Sequence, residues 1–367
     1  MKWQFKFGTF AGIDVYIHTT FLLLIGWVGY SHWLEHQNWI EVLKGIGFIL
    51  TLFLCVILHE YGHALTARKY GIKTRDITIY PIGGVARLER MPEKPIEELW
   101  VALMGPAVNV VIAAILFAYL FLTSSLVPLN ELTVASGSFL ERVMIINIVL
   151  VLFNLLPAFP MDGGRVLRAL LAMRMDYVRA TQIAANVGQG MAFLFGFVGL
   201  FSNPFLLFIA FFVWIGASQE ASMVQMKNAI SGIPVGRAML TDYQFLSPRD
   251  PLSRMAQMIL AGSQHDFPVI DDDERVVGVI TRDDFLSALT QHGQNIAVSA
   301  VMKTNLPEVD SYEMVETALT RIQESGVPAL PVTHGGRLVG IITSENITEY
   351  LMIRSALRSA ASGITGV

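Results

Sequence analysis

Six long apolar stretches are the feature of this sequence that most restricts how the chain can fold. A helix needs roughly 20 residues to cross a hydrocarbon core of about 30 Å. The apolar stretches are close to that length and cover residues 17–34, 43–67, 97–122, 139–157, 181–201 and 204–223. With 53% hydrophobic and only 15% charged residues, the chain is too apolar for an ordinary soluble domain of 367 residues. We therefore predict an α-helical membrane domain with about six transmembrane helices.

The charges in the connecting loops predict the orientation of these helices. Residues 68–94 and 165–179 are rich in lysine and arginine, including Arg168, whereas residues 123–138 contain neither. Cytoplasmic loops of membrane proteins carry an excess of positive charge. The pattern predicts a multi-pass protein of the cell membrane with both termini in the cytoplasm.

The last third of the chain has a different composition. Beyond residue 226, charged and apolar residues mix as they do in a water-soluble α/β domain. We therefore expect the membrane domain to cover residues 1–225. The formal net charge of -4 gives no basic field, which argues against nucleic acid as a partner. Cys55 is the only cysteine, so neither a disulfide nor a cysteine-ligated zinc cluster is possible within one chain.

The second apolar stretch contains the run His59-Glu60-Tyr61-Gly62-His63. On a helix, residues four apart share one face, so both imidazoles can bind one Zn²⁺, with Glu60 between them as general base. A glutamate at the centre of a membrane helix costs at least about 2.5 kcal/mol and is retained only with a partner or a function. Two alternatives to a metal site stay open: the polar side chains bond to neighbouring helices, or they line an ion path.

Hydrolytic zinc sites usually have three protein ligands, so a third ligand is needed. The segment after the fourth apolar stretch offers Asp162, which two glycines follow. Pro157 and Pro160 end the helix, and the glycines let the chain turn closely around the carboxylate. We predict Asp162 as the third ligand, although an aspartate in such a setting is otherwise most often a turn or helix-capping residue.

The segments HEYGH and NLLPAFPMDGGR together resemble the site-2 protease family of intramembrane zinc metalloproteases. The segments PIGGVARLE and GPAVN, the latter at residues 105–109, also resemble signatures of that family. The resemblance implies one Zn²⁺ per chain, bound by His59, His63 and Asp162. It implies that Glu60 activates water and that Asn154 holds the substrate backbone or the developing oxyanion. The implied substrate is a single-span membrane protein, such as a membrane-tethered regulator or a signal-peptide remnant, cut within the lipid bilayer.

A short β hairpin is predicted between the second and third apolar stretches. The segment DITIYPIGGVARLE alternates apolar and polar residues before and after Gly83 and Gly84, where we expect the turn. Such a strand can touch the membrane core only beside a protected cavity. Two roles remain open: its edge pins an unwound substrate by strand addition, or the hairpin only covers the zinc cavity.

The C-terminal part repeats itself. VGRAM at 235 is echoed by VSAVM at 298, FPVI at 267 by LPVT at 330, and VVGVIT at 276 by LVGIIT at 338. Each copy is predicted to run helix, strand, helix, strand, strand, helix. The order and spacing resemble a tandem pair of cystathionine-β-synthase (CBS) domains, here at 230–292 and 293–357. Because such repeats need a partner to bury their sheet face, we expect one α/β module.

In the CBS family, the cleft between the repeats binds adenosine compounds through the pattern G-x-x-T-x-x-D. The resemblance implies a site for AMP, ADP or ATP at Thr281 and Asp284, with Asp284 on the ribose hydroxyls. The second copy has Thr343 but Asn346 in place of the acid, so it implies one site rather than two. The alternative is a structural or dimerising module that forms a homodimer.

Three classes of function compete for this combination. An ion channel or transporter controlled by the CBS pair would need charged groups along several spans, or broken helices in repeated halves. A non-catalytic scaffold would be expected to have lost Glu60 or a ligand. Because the buried charge gathers in one motif pair and none of it is lost, the sequence favours an intramembrane protease, modulated by adenine nucleotides.

Overall fold

The computed structural model describes residues 3–92, 94–123, 137–262, 264–304 and 306–364. The chain divides into two compact units, Met1–Val224 and Gln225–Val367. Residues 124–136, which form most of the loop predicted to face outward, lie outside the described residues.

The first unit is mostly helical. Within the described residues its helices are α1 (Thr19–His36), α2 (Trp39–Lys69), α3 (Pro95–Leu122), α4 (Phe139–Asn154), α5 (Asp162–Ala172), α6 (Tyr177–Phe201) and α7 (Phe205–Ile230). Among these, four are long and apolar enough to cross a membrane, namely α2, α3, α6 and α7. The 18-residue α1 and the 16-residue α4 overlap the two other predicted spans. The count of six spans therefore stays a prediction.

The predicted hairpin is confirmed by the antiparallel strands β3 (Thr74–Tyr80) and β4 (Gly83–Leu88). The turn consists of Pro81 and Ile82 rather than the glycines, because Tyr80 pairs with Gly83. Proline suits a turn because its ring fixes the backbone angle that the first central position requires. Gly84 is needed inside the strand, since a Cβ there would lie 2.9 Å from Cγ of Glu60.

Two strands that the sequence pattern did not predict complete this sheet. They are β1 (Gln4–Phe10) and β2 (Ile13–His18), and the strand order is β1-β2-β3-β4. One face of the sheet packs on α2 through a core that includes Val15, Phe53, Ala64 and Ile77. The sheet therefore lies against the part of α2 that carries the two motif histidines.

Arg168, one of the positive charges in the stretch at 165–179, is a buried helix residue. It lies in α5, is fully buried, and donates from Nε to a carboxylate oxygen of Glu98 at 2.8 Å. Its Nη1 also donates to Glu220 of α7. A buried charge is retained only when paired and hydrogen-bonded. These bonds fix α5 between α3 and α7, so Arg168 is a structural residue and does not count toward the orientation of the helices.

The second unit repeats one order of elements twice. The first copy contains a short 3₁₀ turn (Val235–Arg237), α8 (Leu252–Ala261), β5 (Phe267–Ile270), β6 (Val276–Ile280) and α9 (Arg282–His292). The second copy contains a 3₁₀ turn (Val298–Ala300), β7 (Val309–Asp310), α10 (Val315–Ser325), β8 (Ala329–His334), β9 (Arg337–Thr343) and α11 (Ser344–Ile364). The first predicted strand of copy one is reduced to an isolated bridge between Leu246 and Val269.

The two copies exchange their leading segments. Leu240 of the first copy pairs with β9, and Lys303 of the second copy pairs with β6. A Cβ on Gly278 would lie 2.7 Å from the carbonyl oxygen of Lys303, and one on Gly340 would lie 2.7 Å from that of Leu240. Each copy therefore extends a sheet edge of the other, at a glycine that permits the close approach.

Candidate metal centre

Two histidines four residues apart on α2 face the aspartate that begins α5. Nε2 of His59 and Nε2 of His63 lie 3.1 Å apart. These atoms lie 3.1 and 3.2 Å, respectively, from Oδ2 of Asp162. All three side chains are buried. The fold thus brings together the three residues predicted as metal ligands, although His59 and Asp162 are 103 positions apart in sequence.

The other ring nitrogen of each histidine contacts α3. Nδ1 of His63 lies 2.7 Å from the carbonyl oxygen of Val101, and Nδ1 of His59 lies 2.6 Å from Oδ1 of Asn109. Because an oxygen of this kind only accepts, the hydrogen of each neutral ring lies on Nδ1. Each Nε2 therefore presents a lone pair toward Asp162.

The three converging atoms are all acceptors. At separations of 3.1–3.2 Å, two lone pairs and a carboxylate oxygen repel one another unless a cation lies among them. Two imidazoles and one carboxylate match the donor set of catalytic zinc sites, which keep a further position for water or substrate. The residues therefore fit Zn²⁺.

Glycines at the crossing of α2 and α3 leave room for the imidazole rings. A Cβ on Gly105 would lie 2.1 Å from Nε2 of His63, and one on Gly62 would lie 2.4 Å from a backbone oxygen of α3. Val101, Gly105 and Asn109 are spaced four residues apart and form one stripe along α3. This stripe both accommodates the two rings and fixes their orientation.

The loop before α5 folds tightly around the aspartate. A Cβ on Gly163 would lie 2.2 Å from the carbonyl oxygen of Leu156, and one on Gly164 would lie 2.6 Å from the backbone nitrogen of Phe159. Both positions therefore require glycine for steric reasons. The close turn expected from the sequence is present, and it directs the carboxylate of Asp162 to the histidines.

Glu60 and Asn154 occupy different surroundings. Glu60 lies between the histidines on α2, and its Oε2 accepts the backbone N–H of Ala86 in β4 at 3.0 Å. Asn154 is the last residue of α4 and donates from Nδ2 to the carbonyl oxygen of Leu150 at 3.0 Å. The bond of Asn154 thus stays within its own helix, whereas the candidate ligand atoms of His59, His63 and Asp162 meet across helices.

Sequence reasoning missed the residues that orient the two histidines. Asn109 stands out in the sequence only as part of a family signature, and Val101 contributes a backbone atom that leaves no trace in its side chain. Asn109 and Asn147 are fully buried amides inside apolar helices. Polar residues inside such helices are costly and therefore rare, so the presence of an asparagine in an apolar stretch was the available signal of a function or a partner.

In the second unit, Thr281 and Asp284 bond to each other at the start of α9. Oγ1 of Thr281 donates to Oδ2 of Asp284 at 2.5 Å and accepts its backbone N–H at 3.2 Å. Asp284 also pairs with Lys303 at 3.1 Å. Thr343 and Asn346 make the same two contacts at the start of α11. The pattern therefore caps a helix in both copies.

Lys303, the partner of Asp284, also lines a cavity of about 480 Å³ together with Thr304 and Arg321. Pockets for small ligands typically measure about 300 to 1,000 Å³, so the cavity has room for a small molecule. Burial raises the pKa of the adjacent Asp266 carboxyl, against the lowering effect of the backbone N–H of Arg282. Lys303 thus connects the cavity with the acidic residues at the start of α9.

Comparison with known proteins supports both units. Residues 47–135 and 130–196 match the family model of Peptidase family M50, and residues 235–291 and 298–353 match that of the CBS domain. A zinc metalloprotease of Methanocaldococcus jannaschii is 30% identical over 355 residues, which cover 96% of this chain and 97% of the relative.

Two further proteins share this likeness. A Synechocystis protein whose name also assigns it to the zinc metalloproteases is 26% identical over 376 residues, which cover 97% of both chains. Among solved structures, a site-2 protease from Methanocaldococcus jannaschii is 34% identical, with a TM-score of 0.44. The alignment with that structure covers 60% of this chain and 95% of the other.

Proposed function

Because this chain belongs to peptidase family M50, the site-2 protease family, and is a zinc metalloprotease with tandem CBS domains, we propose that it cleaves membrane proteins within the bilayer. One observation carries the proposal: His59 and His63 lie inside α2, a 31-residue helix that is long and apolar enough to cross a membrane. At 1.5 Å per residue, His59 is about 13 Å along the helix from Arg68 and about 22 Å from Lys44. A peptide bond that reaches this site belongs to a chain segment inside the membrane, nearer the Arg68 end.

The proposed chemistry divides the roles among five side chains and a metal. His59, His63 and Asp162 would hold one Zn²⁺, which would supply Lewis acidity toward the scissile carbonyl and toward water. Glu60 accepts a proton from the attacking water and passes it to the leaving amine. Asn154 binds the substrate backbone or the developing oxyanion through its side-chain amide.

The proposed substrate is the transmembrane segment of a single-span protein, such as a membrane-tethered regulator or a signal-peptide remnant. A helical segment hides its own amides, so it must unwind before hydrolysis. In the described sheet, β4 is an edge strand next to α2 and carries the amide that bonds Glu60. These features support strand addition of the unwound segment to β4.

The direct test uses the purified full-length protein in liposomes with tagged single-span proteins. We expect cleavage inside the apolar segment of a substrate, mapped by mass spectrometry of the products. Glu60→Gln should abolish this cleavage because an amide cannot accept the proton, while elemental analysis still finds one zinc per chain.

Two results would overturn the proposal. Undiminished cleavage by Glu60→Gln would end the role of Glu60 as general base. Cleavage confined to the water-exposed parts of every substrate would end the role as an intramembrane protease, although the metal chemistry would stand.

The organisation that accompanies this function is a membrane domain at 1–225 and CBS domains at 230–292 and 293–357, with both termini and the CBS module in the cytoplasm. The positively charged loops support this orientation. A single cysteine placed at position 85, in a Cys55→Ser background, tests it. An impermeant thiol reagent added outside intact cells should leave position 85 unlabelled, and labelling from outside would contradict the topology.

The proposal extends to control of the protease by AMP, ADP or ATP at the CBS pair. Support comes from the cavity beside Lys303 and from the pairing of that lysine with Asp284. The competing role for the CBS pair is to join two chains into a homodimer without binding a nucleotide. Nucleotide-binding measurements separate the two.

A further inference from the structure

A line of three hydrogen bonds runs from His59 on α2 through α3 to α4. Nδ1 of His59 lies 2.6 Å from Oδ1 of Asn109. Nδ2 of Asn109 donates to Oδ1 of Asn147 at 2.7 Å, and Nδ2 of Asn147 donates to the carbonyl oxygen of Val143 at 2.8 Å. Asn109 and Asn147 are both 0% exposed, so water does not compete for these bonds.

The direction of every bond in this line follows from its far end. The carbonyl oxygen of Val143 can only accept, so the amide nitrogen of Asn147 must face it. The same nitrogen lies 3.4 Å from Sγ of Cys55, which gives its second hydrogen a weak acceptor. The oxygen of Asn147 is therefore left to face Asn109.

That orientation then determines the next two groups. Since Asn147 presents an oxygen, Asn109 must turn its own nitrogen toward Asn147 and its oxygen toward His59. His59 must then carry its hydrogen on Nδ1, which leaves Nε2 free as a metal ligand. Reversing any member would set donor against donor or acceptor against acceptor in a dry interior, where each unsatisfied group is costly.

We propose that Asn147, acting through Asn109, is a positioning residue that fixes the tautomer of His59 and thereby the metal affinity of the site. This proposal rests on the zinc site of the proposed function and is independent of where substrates are cut. Substitution of a residue that hydrogen-bonds to a metal ligand commonly lowers metal affinity by about 10- to 100-fold. Asn147 reaches His59 only through a second side chain, and no spacing in the sequence links the two.

The first test is Asn147→Leu, which keeps similar volume but removes the acceptor that holds Asn109. The amide of Asn109 is then free to turn its nitrogen toward Nδ1 of His59 and to favour the tautomer that cannot bind metal. We expect zinc affinity, measured by chelator competition on the full-length protein in detergent, to fall about 10- to 100-fold. The visible absorption spectrum of the Co²⁺-substituted protein should change as well, since it reports the ligand field.

A second substitution should rescue the first. A carboxylate accepts a hydrogen bond in either orientation, so Asn109→Asp needs no partner to set its direction. In the double variant Asn109→Asp/Asn147→Leu, we expect zinc affinity to recover at least about tenfold relative to Asn147→Leu. If Asn147 served only packing, the double variant would bind zinc no better than Asn147→Leu, because it adds a buried carboxylate to a damaged core.

Thr181→Val is the matched control. Thr181 is also fully buried, and its hydroxyl also bonds the carbonyl oxygen four residues earlier, that of Tyr177. Thr181→Val should lower the thermal unfolding midpoint of the zinc-free protein about as much as Asn147→Leu, with zinc affinity and Co²⁺ spectrum unchanged.

If Asn147→Leu does not fold, Asn147→Ser replaces it, because the short hydroxyl bonds its own helix and does not reach Asn109.

The results separate this proposal from the proposed function. Zinc affinity of Asn147→Leu close to that of wild type, or a double variant that does not recover, would overturn the role of Asn147. Wild-type protein that binds no zinc would instead overturn the metal site itself.

Discussion

The candidate metal centre and the capping motif of the CBS pair both contain a buried or half-buried aspartate, but the groups around that aspartate differ in what they require. At His59, His63 and Asp162, three acceptor atoms converge at 3.1–3.2 Å, with the ring hydrogens directed away. At Thr281 and Asp284, the hydroxyl, the carboxylate and the ammonium group of Lys303 satisfy one another. With neutral rings, the first arrangement needs a cation among these atoms, whereas the second is complete without a ligand.

This difference shows how far a motif alone can be trusted. The two histidines bond to α3 through Nδ1, but this contact does not account for their Nε2 atoms, because two unprotonated ring nitrogens facing a carboxylate are unfavourable without a cation. A threonine followed three residues later by an acid or amide is, by contrast, an ordinary way to begin a helix. The geometry therefore supports zinc directly, and the nucleotide site must be established by binding measurements.

The largest effect that tests this comparison is the loss of a zinc ligand. His59→Ala, His63→Ala and Asp162→Ala each remove one of the three proposed protein ligands, so we expect loss of bound zinc and proteolysis at background level. Elemental analysis of the purified full-length proteins checks this. Asp284→Ala is the control and should keep one zinc per chain. One zinc per chain in Asp162→Ala would remove Asp162 from the site.

A smaller effect is expected from filling the space between α2 and α3. In Gly105→Ala, the new Cβ would lie 2.1 Å from Nε2 of His63, so the ring or the helix must shift. We expect destabilisation of about 1 to 3 kcal/mol from overpacking, together with weaker zinc binding. Gly47→Ala on α2 is the matched control, because a Cβ there meets nothing within 4 Å. Equal zinc affinity in the two variants would show that the contact between α3 and the histidines is not critical.

The parts of the site that depend on local spacing could be predicted from the sequence. His59 and His63 are recognisable because a helix places them on one face, and Asp162 because glycines and prolines mark a tight turn. Asn109 and Asn147 cannot be recognised in this way, because their contacts form only when three helices pack together. The burial of Arg168 could not be predicted for the same reason: its partners, Glu98 and Glu220, lie on other helices.

The fold was predictable to a similar degree. Long apolar stretches and repeated segments indicated the two units, and alternation indicated the hairpin of β3 and β4. The strands β1 and β2 also alternate, but their pairing with β3 is a tertiary contact that local pattern does not reveal. The exchange of leading segments between the CBS copies could likewise not be predicted from the sequence, because it depends on the close approach of two backbones at Gly278 and Gly340.

A still smaller effect is expected at the proposed nucleotide site of the first CBS copy. Asp284→Ala should weaken binding of an adenine nucleotide about tenfold, equivalent to about 1.4 kcal/mol, because it removes the acceptor for the ribose hydroxyls. Thr281→Ala should act similarly. Calorimetry with AMP, ADP and ATP on the full-length protein measures this, and Asp284→Asn separates the charge from the helix cap. If no nucleotide binds at millimolar concentration, the module is a structural or dimerising part.

The smallest effect sharpens the comparison within the CBS pair itself. The second copy carries Asn346 where the first has Asp284, and Leu240 occupies the position that corresponds to Lys303. Asn346→Asp alone should add little nucleotide binding, because the new carboxylate lacks the lysine that stabilises its charge. Leu240→Lys/Asn346→Asp supplies both groups, so calorimetry should then find two bound nucleotides per chain instead of one. A stoichiometry that stays at one would mean that the acid and the lysine are not sufficient, and that the shape of the first cavity decides binding.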